Sequence, residues 1–107
     1  DEAIRTVTGK TTKPYFRPPY GGRDGRVLKV AADAGYTSVY WTTDALDWKE
    51  SEGFTAEEAR ARIFSNLRPG ALYLMHIGDA ITGKILDEAF LQIKAEGYAI
   101  RSLTQGI

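Results

Sequence analysis

The sequence predicts an α/β protein built on a parallel sheet, and three observations carry that prediction. Short apolar or β-branched runs alternate with stretches of helical spacing, as strand then helix three times over, followed by a last strand. The helical stretches end at glycine or at Pro-Gly, where a helix breaks. A helix, a Gly-Tyr pair and a strand follow one another at Gly35-Tyr36 and again at Gly97-Tyr98. Strands separated by helical crossovers pair in parallel.

Taken in order, "DEAIRTVTGK" reads as the last turns of a helix stopped at Gly9. It lacks an initiator Met, so the chain is expected to begin inside a larger domain. "KPYF" (13–16) is a strand in which Pro14 cannot donate a ladder bond, marking a strand start or an edge. Asp24 is a good N-cap for a helix carrying Val27, Leu28, Val30, Ala31 and Ala34 and ending at Gly35. "YTSVYW" (36–41) is β-branched and aromatic, hence a strand. Thr55 and Glu58 form a capping-box pattern before Ala59, Ile63, Phe64 and Leu67, and Pro69-Gly70 stops that helix.

"ALYLM" (71–75) is a nearly continuous apolar run, expected to be a strand covered on both faces. Ile85, Leu86, Ala89, Phe90 and Ile93 mark one face of a helix that ends at Gly97. "YAIRSL" (98–103) closes the pattern as a strand.

With 107 residues the chain is at most one small domain. Its 14 basic residues equal its 14 acidic ones, which gives no support to nucleic-acid binding. No apolar run approaches the roughly 20 residues of a membrane span. Without cysteine there is no disulfide and no thiolate metal site.

Polar residues follow each of the first three expected strands. Arg17 follows "YF", Asp44 and Asp47-Trp48 follow "VYW", and His76 follows "LYLM". In parallel α/β folds, chemistry gathers at the carboxyl ends of the strands, so these loops are expected to converge. Singly, each residue has an ordinary explanation: a solvated arginine, turn or cap aspartates, a strand-end histidine, a Pro-Gly turn, core residues at Trp41 and Leu74. Together they favour a site. A carboxylate beside an imidazole favours the protonated ring, a competent acid near neutral pH. One histidine cannot build a histidine-rich metal centre, and no HExxH, GxSxG or Walker pattern is present.

"RPPYG", "TTDALDW" and "LYLMH" resemble, in order and spacing, the last three of the five motifs of the polysaccharide deacetylases. This is carbohydrate esterase family 4, the NodB-homology domain. The resemblance covers nearly the whole chain (1–107) but only the C-terminal half of the family's domain, a distorted (β/α) barrel, so about four parallel strands are expected here and the N-terminal half is absent. It implies hydrolytic removal of acetyl groups from N-acetylated sugars with the help of a divalent metal, usually zinc. The base and the metal ligands belong to the family's first two motifs, which this sequence lacks. No metal is therefore expected on this chain alone, and none of its residues is assigned as a ligand.

The same resemblance implies roles residue by residue. Arg17 orients the missing base, and the backbone N–H of Tyr20 helps bind the oxyanion. Trp41 and Leu74 wall the pocket for the acetyl methyl. Asp47 pairs with His76, and His76 protonates the departing amine. Asp44 and Trp48 are structural support.

The implied partners are an N-acetylated polysaccharide of peptidoglycan or chitin type and either the missing N-terminal half or a second copy of the chain, with an extracellular or cell-envelope location. Open sheet edges favour such pairing. Two rival readings are a carbohydrate-binding remnant that stacks sugars on Trp41, Trp48 and Tyr20, and a half-barrel assembly module.

Overall fold

The computed structural model describes residues 1–106 and divides into two compact units, residues 1–40 and the remainder from Trp41 onward. In the first unit, helix α1 (Glu2–Thr8) ends where Gly9 takes a left-handed conformation at φ 71 and its N–H reaches the Arg5 carbonyl. Glycine does this without the Cβ penalty of other residues, so the predicted stop is observed. Strand β1 (Tyr15–Phe16) pairs in parallel with β2 (Thr37–Ser38), Tyr15 opposite Thr37 and Phe16 opposite Ser38. Between them lie a 3₁₀ turn (Pro19–Gly21) and helix α2 (Gly25–Asp33). Asp24 caps α2 as expected, its carboxylate accepting from the Val27 N–H at 2.8 Å.

In the second unit, β3 (Thr43–Asp44) pairs in parallel with β4 (Tyr73–Leu74), Thr43 opposite Tyr73 and Asp44 opposite Leu74. A second 3₁₀ segment (Asp47–Glu52) leads to α3 (Ala56–Ser65), and α4 (Ala80–Ala95) follows β4. The capping box at Thr55 and Glu58 is complete in both directions. Buried Ala59 and Ile63 of α3 meet Ile81, Ile85 and Ile93 of α4 and Ala45 in one apolar cluster. Arg60 ties the two helices at their margin, donating to Gln92 at 3.0 Å and pairing with Glu88 at 2.8 Å.

Several expectations are corrected. Residues 98–103 form no strand: Leu103–Gly106 is a single helical turn, α5, and Tyr98 packs beside the core instead. β-Propensity is realised only where a neighbouring strand offers a ladder, and residues 98–103 join none. The strand expected over 36–41 is confined to Thr37–Ser38, and the chain reaches a second strand, β3, that pairs with a different partner. The parallel strands are thus two separate two-stranded ladders among the described residues. In 71–75 only Leu74 is buried, so the run is not covered on both faces. The buried stripe of α4 is Ile81, Ile85, Ala89 and Ile93, while Phe90 is exposed and Leu86 half-buried. Ile85, Ala89 and Ile93 are common to the expected and the observed face, whereas Leu86 and Phe90 lie to one side of it.

Candidate active site

The site is built where β3 and β4 end side by side. After β3 the chain turns at Leu46, a non-glycine residue held at φ 60, and Asp44 supports the turn. Its Oδ1 accepts from the Leu46 N–H at 2.8 Å and its Oδ2 from Trp48 Nε1 at 3.3 Å. Arg62 of α3 donates from Nε to the Asp44 carbonyl at 3.0 Å. A left-handed leucine costs on the order of 1–2 kcal/mol, so these bonds act against a real tendency to relax. The outcome is to carry Asp47 under the end of β4 with its side chain wholly enclosed, 0% exposed.

His76 follows β4 and meets Asp47 twice. Its backbone N–H donates to Asp47 Oδ2 at 2.6 Å, and its Nδ1 lies 2.8 Å from Oδ1. The Trp48 N–H donates to Oδ1 at 3.0 Å, and the Thr82 hydroxyl of α4 bonds to Oδ2. Burial alone would push the Asp47 carboxyl up from its ordinary value. The bonds from Thr82 and from the ring and amide of His76, with the attraction of the His76 charge, together outweigh it and hold the carboxyl below that value.

Asp47 is therefore ionised at neutral pH, and an ionised carboxylate only accepts. It follows that Thr82 donates, that His76 Nδ1 carries its hydrogen toward Asp47, and that Nε2 is the nitrogen left to react. The His76 side chain is 37% exposed, so a ligand can reach the ring.

The structure brings four of the expected residues together: Asp44, Asp47, Trp48 and His76. Leu74 is buried in β4 opposite Asp44, and Trp41 is half-buried ahead of β3. Arg17 and Tyr20 belong to the other unit. There Arg17 is exposed, and Tyr20 sits at φ 56 inside the Pro-rich turn, a second non-glycine left-handed residue. Sequence reasoning missed Thr82 and Arg62. Thr82 lies six residues beyond His76, flanked by apolar helix positions, and has no motif of its own.

One cluster was not anticipated. Asp47, His76 and Asp79 each bring one ligand atom to within 4.8 Å of the others, a possible cation site by distance. The bonding opposes it. Both Asp47 oxygens already accept two hydrogen bonds each, and Nδ1 of His76 is committed to Asp47. A cation would have to replace those donors with one charge, so the set fits an acid pair better than a metal centre.

Comparison with known proteins points to one family. The family described as polysaccharide deacetylase matches residues 1–39. The chain is 32% identical over 103 residues to the peptidoglycan-N-acetylmuramic acid deacetylase PdaA of Bacillus subtilis (strain 168), covering 96% of this chain and 39% of that protein. It is 31% identical over 101 residues to a peptidoglycan-N-acetylglucosamine deacetylase of Bacillus cereus, covering 91% and 35%. Among solved structures, a CE4 family pseudoenzyme from Bacillus anthracis superposes with a TM-score of 0.88 at 28% identity, covering 98% of this chain and 36% of that one. PdaA of Bacillus subtilis, a family 4 carbohydrate esterase, superposes with a TM-score of 0.87 at 31% identity, covering 98% and 45%.

The chain belongs with the polysaccharide deacetylases of carbohydrate esterase family 4. It spans less than half the length of these relatives.

Proposed function

We propose that this chain carries the proton-donating side of a polysaccharide N-deacetylase site. The observation that carries the reading is the enclosed, ionised Asp47 holding Nδ1–H of His76 and leaving Nε2 to act. When the tetrahedral intermediate collapses, Nε2–H of His76 transfers its proton to the amine nitrogen as the carbon–nitrogen bond breaks. Asp47 stabilises the imidazolium before that transfer and fixes the ring afterwards.

The other roles follow the family resemblance. Arg17 orients a carboxylate base supplied from outside residues 1–107, and the N–H of Tyr20 donates to the oxyanion. The left-handed conformation of Tyr20 supports this, because backbone strain held in place is common where an amide must be aimed. Trp41 and Leu74 provide apolar wall for the acetyl methyl. A divalent metal, zinc by resemblance, belongs to residues outside this chain and would polarise the acetyl carbonyl.

The substrate class is an N-acetylglucosamine-type polymer, peptidoglycan or chitin-like, met outside the cytoplasm. The names of relatives support this: peptidoglycan deacetylases, and a chitin deacetylase of Saccharomyces cerevisiae 45% identical over 54 residues. Among the described residues no helix is long and apolar enough to cross a membrane. The chain is read as the C-terminal half of a barrel domain, completed by an N-terminal half or by a second copy.

A second reading has one observation in its favour. A protein described as a pseudoenzyme superposes as well as an active relative does, and a mutant of it described as having restored activity superposes equally, at a TM-score of 0.88. The fold therefore persists without catalysis, and a sugar-binding role remains the alternative.

Acetate release from chitooligosaccharide and from peptidoglycan separates the two readings. A protein carrying this chain together with a complete first half should release acetate in a metal-dependent way, and residues 1–107 alone should release none. Sugar binding by the completed protein without acetate release would favour the alternative.

A further inference from the structure

We propose that Thr82 is a positioning residue for the His76 acid: its hydroxyl, donated to Asp47, sets the tautomer and orientation of the imidazole. This rests on the reading of His76 as proton donor.

Four donors converge on the Asp47 carboxylate from three parts of the second unit. The Trp48 N–H comes from the segment after β3, the N–H and ring of His76 from the end of β4, and the Thr82 hydroxyl from the first turn of α4. Two of these are backbone groups that no side-chain change removes. The third is the ring being positioned. Thr82 is therefore the independent side-chain control on the charge and angle of the carboxylate.

Its own placement is stiff. Ile81 beside it is 1% exposed and Ile85 one turn on is 5% exposed, so α4 is pinned to the core on both sides of Thr82. A β-branched side chain in a helix has few rotamers, which keeps the hydroxyl aimed.

The consequence for His76 is chemical as well as steric. Oδ2 has two donors, and losing the hydroxyl leaves it with the His76 N–H alone inside a site closed to water. A carboxylate short of one donor in such a place is freer to rotate and is less favoured as the anion. Either change weakens the bond from Oδ1 to Nδ1–H, and that bond decides which ring nitrogen stays bare.

His76 is the only histidine of the chain, so its ring is the only imidazole in a nitrogen-15 spectrum. Long-range proton–nitrogen correlation on this chain, followed to the alkaline limit of the ring titration, should show hydrogen on Nδ1 and a bare Nε2. Thr82→Val should speed exchange of the Nδ1 hydrogen with water about tenfold, the scale of one lost charge-assisted hydrogen bond, and bring up the Nε2–H tautomer. Thr82→Ser should restore the wild-type spectrum, and Thr82→Ala gives the same loss should valine disturb packing.

In the unmodified chain the Thr82 hydroxyl hydrogen should be visible and close in space to the His76 amide. A folded Thr82→Val chain with unchanged ring nitrogens and exchange would overturn the proposal, as would rapid solvent exchange of the wild-type hydroxyl. None of these readouts needs turnover. An unchanged tautomer in Thr82→Val therefore counts against Thr82 alone, whereas an active enzyme lacking the His76 ring would count against His76 as the proton donor and leave the positioning intact.

Discussion

Helices α2 and α4 are both marked by apolar residues at helical spacing, yet they end in different surroundings. α2 is capped by Asp24 and amphipathic in its spacing, but none of its residues is buried, and Val30 is 63% exposed. α4 lacks a side-chain cap at Asp79, yet it buries Ile81, Ile85, Ala89 and Ile93. Caps and spacing decide that a helix forms and which face is apolar; burial requires a surface to meet. The buried carboxylate follows the same division. Asp47 lies in the unit that has the packed core, where enclosure and four donors can be held together.

The largest stability contrast should come from truncating one apolar side chain in each unit. Ile63→Ala removes a fully buried side chain of α3 and should cost about 2–5 kcal/mol, whereas Val30→Ala on α2 should stay within about 0.5 kcal/mol. Urea unfolding of the two variants measures this. A cost at Val30 equal to that at Ile63 would mean that the α2 face is covered in solution, and the contrast between the units would collapse.

Next in size is Asp47→Asn, which places an amide NH₂ among four donors and should cost about 1–3 kcal/mol. Its pH dependence sharpens the claim. The folded-state pKa of Asp47 is lowered, so its ionisation contributes stability fully above the ordinary value of 3.8, and that contribution is lost as pH falls through the lower folded value. The difference between wild type and Asp47→Asn should therefore shrink as pH falls below about 4. A difference that grows as pH falls below about 4 would reverse the sign and contradict the bonding.

Smallest is the capping box. Thr55→Ala should cost about 1 kcal/mol, and Asp24→Ala about the same for α2. Because α3 packs into the core while α2 buries nothing, the Thr55 change should appear in global unfolding. The Asp24 change should appear as faster amide exchange confined to α2.

What was legible in the sequence follows from which forces are local. Gly9, Asp24, Thr55 with Glu58, and the helical spacing of Ile85, Ala89 and Ile93 act within a few residues, and each is realised. Strand pairing is not local. "YAIRSL" and "YTSVYW" look alike in β-propensity, yet only the second finds a ladder, and then over two residues. The Asp47–His76 pair could be read because the two residues lie in "TTDALDW" and "LYLMH", whose resemblance to the family's motifs implies it. Thr82 and Arg62 could not, since each acts from a helix whose approach to the strand ends depends on the packed core.

The most direct test of the central claim is acetate release by the completed enzyme with His76→Gln, measured alongside its metal content. A general acid typically contributes 10²–10⁴-fold, so turnover should fall by about that factor while metal content stays at the wild-type level. Retained turnover, or loss of the metal together with activity, would contradict His76 as the proton donor held by Asp47.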